Sequence, residues 1–426
     1  MKVVYLSPAA QLGGAEKVLL DCIHSLTNTS SDYVPHLVVA AAGPLGERAA
    51  ALGAGVTVVP FPAALARLGD GAAGGPAGGG VGRLMLAWRM LVAVIAVIRY
   101  VMELRRTLIT LAPDLIHTNG FKMHMLGLWA RPAGTPVFWH IHDYVSLRPL
   151  MSRIMRLFAH RCRGLIAISA SVAADLRQVF GEAVPVHTIY NGIDTSRYTP
   201  EGSRLDLDTL AGMSAPAPGT VRVALMATMA RWKGHEVFLR ALAQLPDSLP
   251  VRAYIIGGAI YQTDGSQDSI TGLREVARGL GLADRVGFTG FIDDPAAAMR
   301  ACDIIVHAST QPEPFGLVIV EAMACARAVV ASNAGGAAEI IAPEVNALGH
   351  EPGNAEQLAT ALARLITDSP LRARLGAQGR ETVTRRFDRA RLGAAIWQVY
   401  ANEPARMATI ENTPDETLKK SAGKAG

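Results

Sequence analysis

Two carboxylates, Glu313 and Glu321, stand with seven residues between them in the stretch Gln311-Pro-Glu-Pro-Phe-Gly-Leu-Val-Ile-Val-Glu-Ala-Met-Ala-Cys325. Ionised Glu is an acceptor-only side chain, so such a pair suits hydrogen bonds from sugar and ribose hydroxyls. The stretch follows a strand-like run ending near His307 and opens a helix at about Gly316. The first amides of a helix are unpaired and lie at the positive end of its dipole, which favours a diphosphate there. Gly316 lets the backbone approach such a ligand closely. Taken alone, the pair fits equally well a reading in which one Glu caps the helix and the other is a solvated surface residue.

Other polar groups collect where strand-like runs end. Gly13 and Gly14 follow the first run, at a sharp turn into a helix that Glu16 begins. His117 closes another run, and His140, His142 and Asp143 close a third. A His-Asp pair in that position can act as base on an acceptor hydroxyl. The bland alternatives are a simple turn and structural histidines. The histidine spacings fit no tetrahedral metal motif and no cysteine cluster joins them, so no metal and no cofactor is expected. Asp206-Leu-Asp208 resembles a divalent-cation motif but falls away from any strand end, and is discounted.

These groups need elements to hold them. A chain of 426 residues is too long for one ordinary core and suits two domains. Half the residues are apolar and 18% charged, a globular composition. The excess of 41 basic over 36 acidic residues is too mild to indicate nucleic-acid binding. Short Val/Ile/Leu-rich runs alternate with helix-period segments, which is the pattern of parallel sheets with helices on both faces. The pattern occurs twice. The expected organisation is an N-terminal domain over 1–198, a linker over 199–220, a C-terminal domain over 221–388, a helix over 389–401 and a flexible tail over 402–426. Each domain is read as a doubly wound α/β sheet, the two facing a central cleft with ligand groups at the strand ends.

The cysteines Cys22, Cys162, Cys302 and Cys325 are scattered in apolar stretches and read as buried free thiols. The N-terminus lacks the apolar region of a signal peptide, so a cytoplasmic location is expected. Leu84–Val101 is hydrophobic, but its uninterrupted core, Met90–Ile98, is well short of the roughly 20 residues a bilayer crossing needs, and a buried helix is expected. Gly69–Gly82 reads as a mobile low-complexity loop. Met151–Leu165 sets Arg153, Arg156, His160 and Arg163 at helical spacing near Leu150, Ile154 and Leu157. Such a helix suits either a core with a solvated basic face or a peripheral contact with the inner face of an anionic membrane.

The Glu-x7-Glu stretch EPFGLVIVEAMAC resembles the signature of the family 4 retaining glycosyltransferases, which have the two-domain GT-B fold. Further patterns of that family occur in its order: Gly13-Gly-Ala-Glu-Lys17, Asp114-Leu-Ile-His-Thr-Asn-Gly120, His140-Ile-His-Asp143, Asn191-Gly-Ile-Asp194, Arg231-Trp-Lys-Gly234 and Gly335-Gly-Ala-Ala-Glu339. The resemblance covers about residues 1–400. It implies transfer of a hexosyl-type sugar from a nucleotide-diphosphate sugar to a glycan or lipid-linked acceptor, without metal.

By the same resemblance, Glu313 meets hydroxyls of the donor sugar, Phe315, Gly316 and Leu317 lie against sugar and phosphates, and Glu321 takes the ribose. Lys233 neutralises the diphosphate, Gly13 and Gly14 border the donor phosphates, and His117 reaches the donor sugar. Glu16, His142 and Asp143 are placed on the acceptor side. Many relatives carry Gly-Arg where this chain has Ala227-Thr228, and Arg231 is expected to supply the missing charge. Two other readings stay open: a nucleotide-sugar epimerase of the same fold, and a catalytically inactive sugar-nucleotide-binding protein. A dehydrogenase is disfavoured because no Gly-x-Gly-x-x-Gly follows a strand.

Overall fold

The computed structural model describes residues 1–62, 80–258 and 267–401, the side chains of 80–91 excepted. The expected loop at Gly69–Gly82 falls largely outside the described residues, and the tail over 402–426 falls wholly outside them. The chain forms two compact units. The first comprises Met1–Tyr190 and the closing helix from Leu392 onward, and the second Asn191–Arg391.

The first unit is built on seven strands: β1 (Lys2–Ser7), β2 (Val34–Val39), β3 (Gly55–Val58), β4 (Leu115–Asn119), β5 (Val137–Ile141), β6 (Gly164–Ala167) and β7 (Val186–Thr188). They lie in the order β3-β2-β1-β4-β5-β6-β7, every pair parallel. Its helices are α1 (Gly14–Thr29), α2 (Pro44–Ala51), α3 (Gly80–Leu111), α4 (Phe121–Ala130), α5 (Pro149–Phe158) and α6 (Ala170–Phe180), with the closing helix at Ala390–Ala401. β4 and β5 are buried at every position, as central parallel strands covered on both faces must be. β4 runs on to Asn119 rather than ending at His117, because its ladder with β5 continues to the pair Asn119 and His140.

The second unit has six strands, β8 (Val221–Met226), β9 (Val251–Ile256), β10 (Val286–Gly290), β11 (Ile304–His307), β12 (Ala328–Ser332) and β13 (Leu348–His350), in the order β10-β9-β8-β11-β12-β13. All pairs are again parallel. The helices are α7 (Leu207–Ala211), α8 (His235–Ala243), α9 (Ile270–Gly279), α10 (Pro295–Arg300), α11 (Leu317–Ala324), α12 (Ala337–Ile340), α13 (Ala355–Thr367) and α14 (Ser369–Arg386). Phe238 and Leu239 of α8 and Leu362 and Leu365 of α13 bury against Val223, Leu225, Ile255 and Val330. In each sheet the strand order reverses once, between β1 and β4 and between β8 and β11. Loops leaving the carboxyl ends of those strand pairs diverge and leave room for a ligand.

Two expectations are corrected here. The segment 199–220 is not a free linker: it belongs to the second unit and contains α7. Its buried Asp208 accepts from Arg222 (2.9 Å), Arg252 (3.3 Å) and the Tyr254 hydroxyl (2.6 Å), anchoring a segment that has little apolar content. Asp206 meanwhile caps α7 by accepting from the Thr209 amide. The hydrophobic segment near Leu84–Val101 lies in α3, but it is not buried throughout. Among its described side chains Tyr100, Leu104 and Leu108 enter the core, whereas Val94, Ile95, Ile98, Met102 and Ile109 are exposed, and the side chains of residues 84–91 lie outside the described ones. No helix among the described residues is long and apolar enough to cross a membrane.

Candidate functional site

The β8/β11 switch point gathers the groups that the sequence singled out in the second half. After β8 a single 3-10 turn, Arg231–Lys233, ends at Gly234 with φ +77°. A Cβ on Gly234 would lie 1.9 Å from the Ala308 carbonyl oxygen, so only glycine lets this turn press against the end of β11. The Thr310 amide donates to the Trp232 carbonyl (2.7 Å) and fastens the two loops together. Lys233 is thereby aimed at Glu313, with Nζ 3.0 Å from Oε1 and 2.8 Å from Oε2, and it also lies 3.9 Å from the Trp232 ring centroid.

Glu313 is held from its other side as well. Oε2 lies 3.0 Å from His307 Nε2 and 2.9 Å from Ser309 Oγ, and His307 and Ser309 are 3.0 Å apart. Burial pushes the Glu313 carboxyl up, but Lys233 and His307 outweigh it and hold the group well below the usual carboxylate range. Glu313 is thus a fixed, ionised acceptor beside a cation. Directly after it the chain reaches Gly316, whose φ of +105° starts α11. The Leu317 and Val318 amides of the first turn of α11 lie just beyond Glu313 in the chain, where a helix start offers donors with no partner one turn back, whereas the Ile319 amide donates to the Gly316 carbonyl (3.0 Å). Phe315 is buried against the Phe387 ring, and Leu317 is half-buried at the first helical position. Gly336 approaches so closely that a Cβ would sit 2.3 Å from the Pro314 carbonyl oxygen.

Glu321 lies on the second turn of α11, nearly buried and hydrogen-bonded to Tyr198. The structure brings Lys233, Glu313 and Gly316 together and adds His307 and Ser309. Arg231, expected to replace the missing arginine, is turned elsewhere: its Nε lies 3.5 Å from Asp268 Oδ1 and its side chain is 67% exposed. Thr228 is half-buried at the end of β8.

The first unit corrects the role of His117. This residue is fully buried, with Nδ1 2.5 Å from the Tyr400 hydroxyl of the closing helix and Nε2 3.2 Å from His140 Nδ1. Both ring nitrogens are spent inside the protein, so His117 is a structural group rather than one that reaches a sugar. The last residue of β4, Asn119, is buried as well. Asn119 Oδ1 lies 2.5 Å from His142 Nε2, and its amide nitrogen donates to the Ala15 carbonyl at the start of α1 (3.3 Å). Glu16 is occupied in capping α1, its carboxylate accepting from the Gly13 amide (3.0 Å), while Gly14 is exposed. Asp143 is paired with Arg148 at 3.1 Å and accepts from the Tyr144 amide. Among the described residues no three His, Cys, Asp or Glu side chains converge on a metal site.

His307, Ser309, Asn119 and Tyr198 were not singled out for a site from the sequence. Their signal was positional: the first three lie within two residues of the end of a strand at a switch point.

Residues 38–197 match the family described as Glycosyltransferase Family 4, and residues 215–382 match Glycosyl transferases group 1. A D-inositol 3-phosphate glycosyltransferase of Xylanimonas cellulosilytica is 30% identical over 259 residues, 57% of this chain and 57% of its own length. The lipopolysaccharide core biosynthesis glycosyltransferase LpsE of Rhizobium meliloti is 31% identical over 209 residues, 49% of this chain and 57% of its own. The matches thus span little more than half the length of these relatives. Among solved structures, Anabaena Alr3699/HepE in complex with UDP and glucose superposes with a TM-score of 0.76 at 29% identity, covering 95% of this chain and all of that one. With both halves matched in order and two parallel sheets laid out as in that structure, the chain belongs to the family 4 type of glycosyltransferases with the GT-B fold.

Proposed function

We propose that the chain is a retaining glycosyltransferase that moves a hexosyl-type sugar from a nucleotide-diphosphate sugar to a glycan or lipid-linked acceptor in cell-surface polysaccharide or glycolipid synthesis. The observation that carries this reading is the Lys233–Glu313 pair at the carboxyl end of β11, beside the first turn of α11. A nucleoside diphosphate gains negative charge as the glycosidic bond breaks, and a preorganised ammonium and helix amides stabilise that charge most where it develops. Glu313, held ionised, accepts hydrogen bonds from the sugar hydroxyls, and Glu321 on the next turn takes the ribose. UDP is the first base to try, because the superposed Anabaena protein was crystallised with UDP and glucose.

In this mechanism the bond from the anomeric carbon to phosphate breaks as the acceptor oxygen attacks from the same face, and the departing phosphate takes the acceptor's proton. The protein positions the reactants and stabilises charge. Lys233 and the helix amides do the work of a divalent ion. Wild-type chain incubated with UDP-glucose and other nucleotide sugars should release nucleotide, and Lys233→Met should slow release at least about a hundredfold. Undiminished release by the variant contradicts the reading, and a covalent sugar adduct on Glu313 contradicts the same-face mechanism.

A lipid-linked acceptor at the inner face of a membrane is supported by the surface of the first unit. Leu147, Leu150 and Leu157, in and just before α5, are 65%, 73% and 69% exposed, and Arg153, Arg156, His160 and Arg163 beside them are exposed too. Arg105 of α3 donates to the Arg131 carbonyl and Arg131 to the Arg161 carbonyl, so the exposed apolar residues of α3 adjoin this region. Apolar side chains among cations are the chemistry of an anionic bilayer surface. The chain should float with phosphatidylglycerol vesicles and stay behind with purely zwitterionic ones, and Leu150→Glu with Leu157→Glu should abolish flotation. Failure of the wild type to float removes this part of the proposal.

A further inference from the structure

A buried tyrosine must give its hydroxyl proton to an acceptor inside the protein. Tyr198 is buried, and the acceptor it finds is the carboxylate of Glu321 on α11. Burial pushes the Tyr198 hydroxyl up and the Glu321 charge adds to this, so the proton stays on Tyr198 and the tyrosine is the donor. A phenylalanine would fill nearly the same space and need no acceptor. What the hydroxyl contributes is therefore the bond to Glu321.

The backbone on both sides of that bond is fixed. Tyr198 closes a tight turn, in which the Arg197 and Tyr198 amides donate to the Asp194 carbonyl (3.2 and 2.9 Å) and the Ser196 amide to Asp194 Oδ1 (3.0 Å). One guanidinium from α14 fastens this turn to α11. Arg380 Nη1 donates to the Tyr198 carbonyl (2.7 Å) and to the Ala324 carbonyl (2.8 Å), and Nη2 to the Thr195 carbonyl (3.2 Å). Ala324 ends α11, where a helix leaves its carbonyls without partners and a cation is favoured. Arg380 thus holds the turn that carries Tyr198 and the helix that carries Glu321 in one register.

We infer that Tyr198 is a positioning residue for nucleotide recognition, its hydroxyl fixing the Glu321 carboxylate so that the lone pairs left over accept from the two vicinal hydroxyls of the ribose. The inference rests on the proposed placing of the ribose against Glu321. An ionised carboxylate offers about four lone-pair positions, and Tyr198 takes one of them. A glutamate already held in place loses little further freedom when the ribose arrives, so the contact is stronger than one made by a mobile side chain.

The test is titration calorimetry of the full chain with whichever of UDP, GDP and ADP it binds most tightly, and with the 2′,3′-dideoxy form of the same nucleotide. Tyr198→Phe should weaken binding of the ribose form at least about fivefold and of the dideoxy form less than about twofold. The KM for the matching nucleotide sugar should rise by the same factor while kcat at saturation stays as in wild type. A tyrosine that only fills the core would weaken both nucleotide forms equally. In a Glu321→Gln background, Tyr198→Phe should add little further loss, because the two side chains act as one unit.

Equal losses for the two nucleotide forms, no loss for either, or additive losses in the double variant overturn the inference. On the unaltered chain, a crystal with the bound nucleotide should show the Tyr198 hydroxyl and both ribose hydroxyls on the Glu321 carboxylate. A Tyr198 hydroxyl turned away from Glu321 in that crystal overturns the inference whether or not the variant folds. A wild type that binds ribose and dideoxy forms alike removes the ribose from Glu321 and with it the reading beneath. A wild type that binds none of the three nucleotides sinks the proposed function separately.

Discussion

Replacing Lys233 with methionine keeps most of the side-chain volume and removes the charge that Glu313 faces at 2.8 and 3.0 Å. Removing one partner of a buried ion pair costs about 3–5 kcal/mol, because the other charge is left uncompensated. Here the two side chains retain 20% and 11% exposure, and His307 and Ser309 still face the carboxylate. The expected loss is therefore smaller, about 2–3 kcal/mol. Glu313→Gln removes the charge instead, and the double variant should be more stable than the sum of the single losses by at least about 1 kcal/mol. Urea unfolding of the second unit, followed by tryptophan fluorescence, measures all three, since Trp232 stacks on Lys233.

The pH dependence supplies a second check. In the intact chain Glu313 is held below its ordinary value of about 4.3, so its stabilisation is complete above that pH and is lost as pH falls toward the folded value. Without Lys233, burial meets less opposition and pushes the carboxyl up. The folded variant then takes up its proton before the unfolded chain does, and the gap to wild type should narrow between pH 7 and 4. A cost below about 0.5 kcal/mol at pH 7, the size of an ordinary surface change, or a gap that ignores pH, refutes the reasoning.

The buried histidines of the first unit lose stability in the same direction as Glu313, but from a higher pH. Burial pushes His117 and His142 down to about 3. The unfolded chain, with histidines near 6.5, therefore binds more protons, and stability should fall from about pH 6.5 toward 3, by about 1 kcal/mol per histidine for each unit. Urea midpoints that stay level between pH 7 and 5.5 contradict this. Gly234→Ala forces a Cβ toward the Ala308 carbonyl at a positive φ, so it should cost more than about 1 kcal/mol and weaken nucleotide binding, read by titration calorimetry. Turnover should survive EDTA, and loss of activity restored by magnesium or manganese would show that a cation shares the work assigned to Lys233.

Alternation of apolar runs with helical segments was enough to read two parallel sheets, because parallel strands covered on both faces are nearly continuous Val/Ile/Leu runs. β3 and β13 are edge strands of four and three residues, too short for a run to stand out. The 199–220 segment read as a linker because its anchorage is ionic, Asp208 with two arginines, and leaves no hydrophobic period. In the site, Glu313 and Lys233 were legible from motif resemblance. His117 was misassigned because a strand-end histidine looks the same in sequence whether its ring is spent on Tyr400 or offered to a ligand. The contact of Asn119 with His142 at 2.5 Å is a spatial relation across two strands and leaves no local pattern.

The central claim is a diphosphate gripped between Lys233 and the start of α11. A crystal structure of the chain with a bound nucleoside diphosphate tests it most directly. The phosphates should lie within hydrogen-bond distance of Lys233 Nζ and of the amides following Gly316, with the ribose toward Glu321. Phosphates lodged elsewhere, with Lys233 and Glu313 still closed on each other at 2.8 Å, would contradict it.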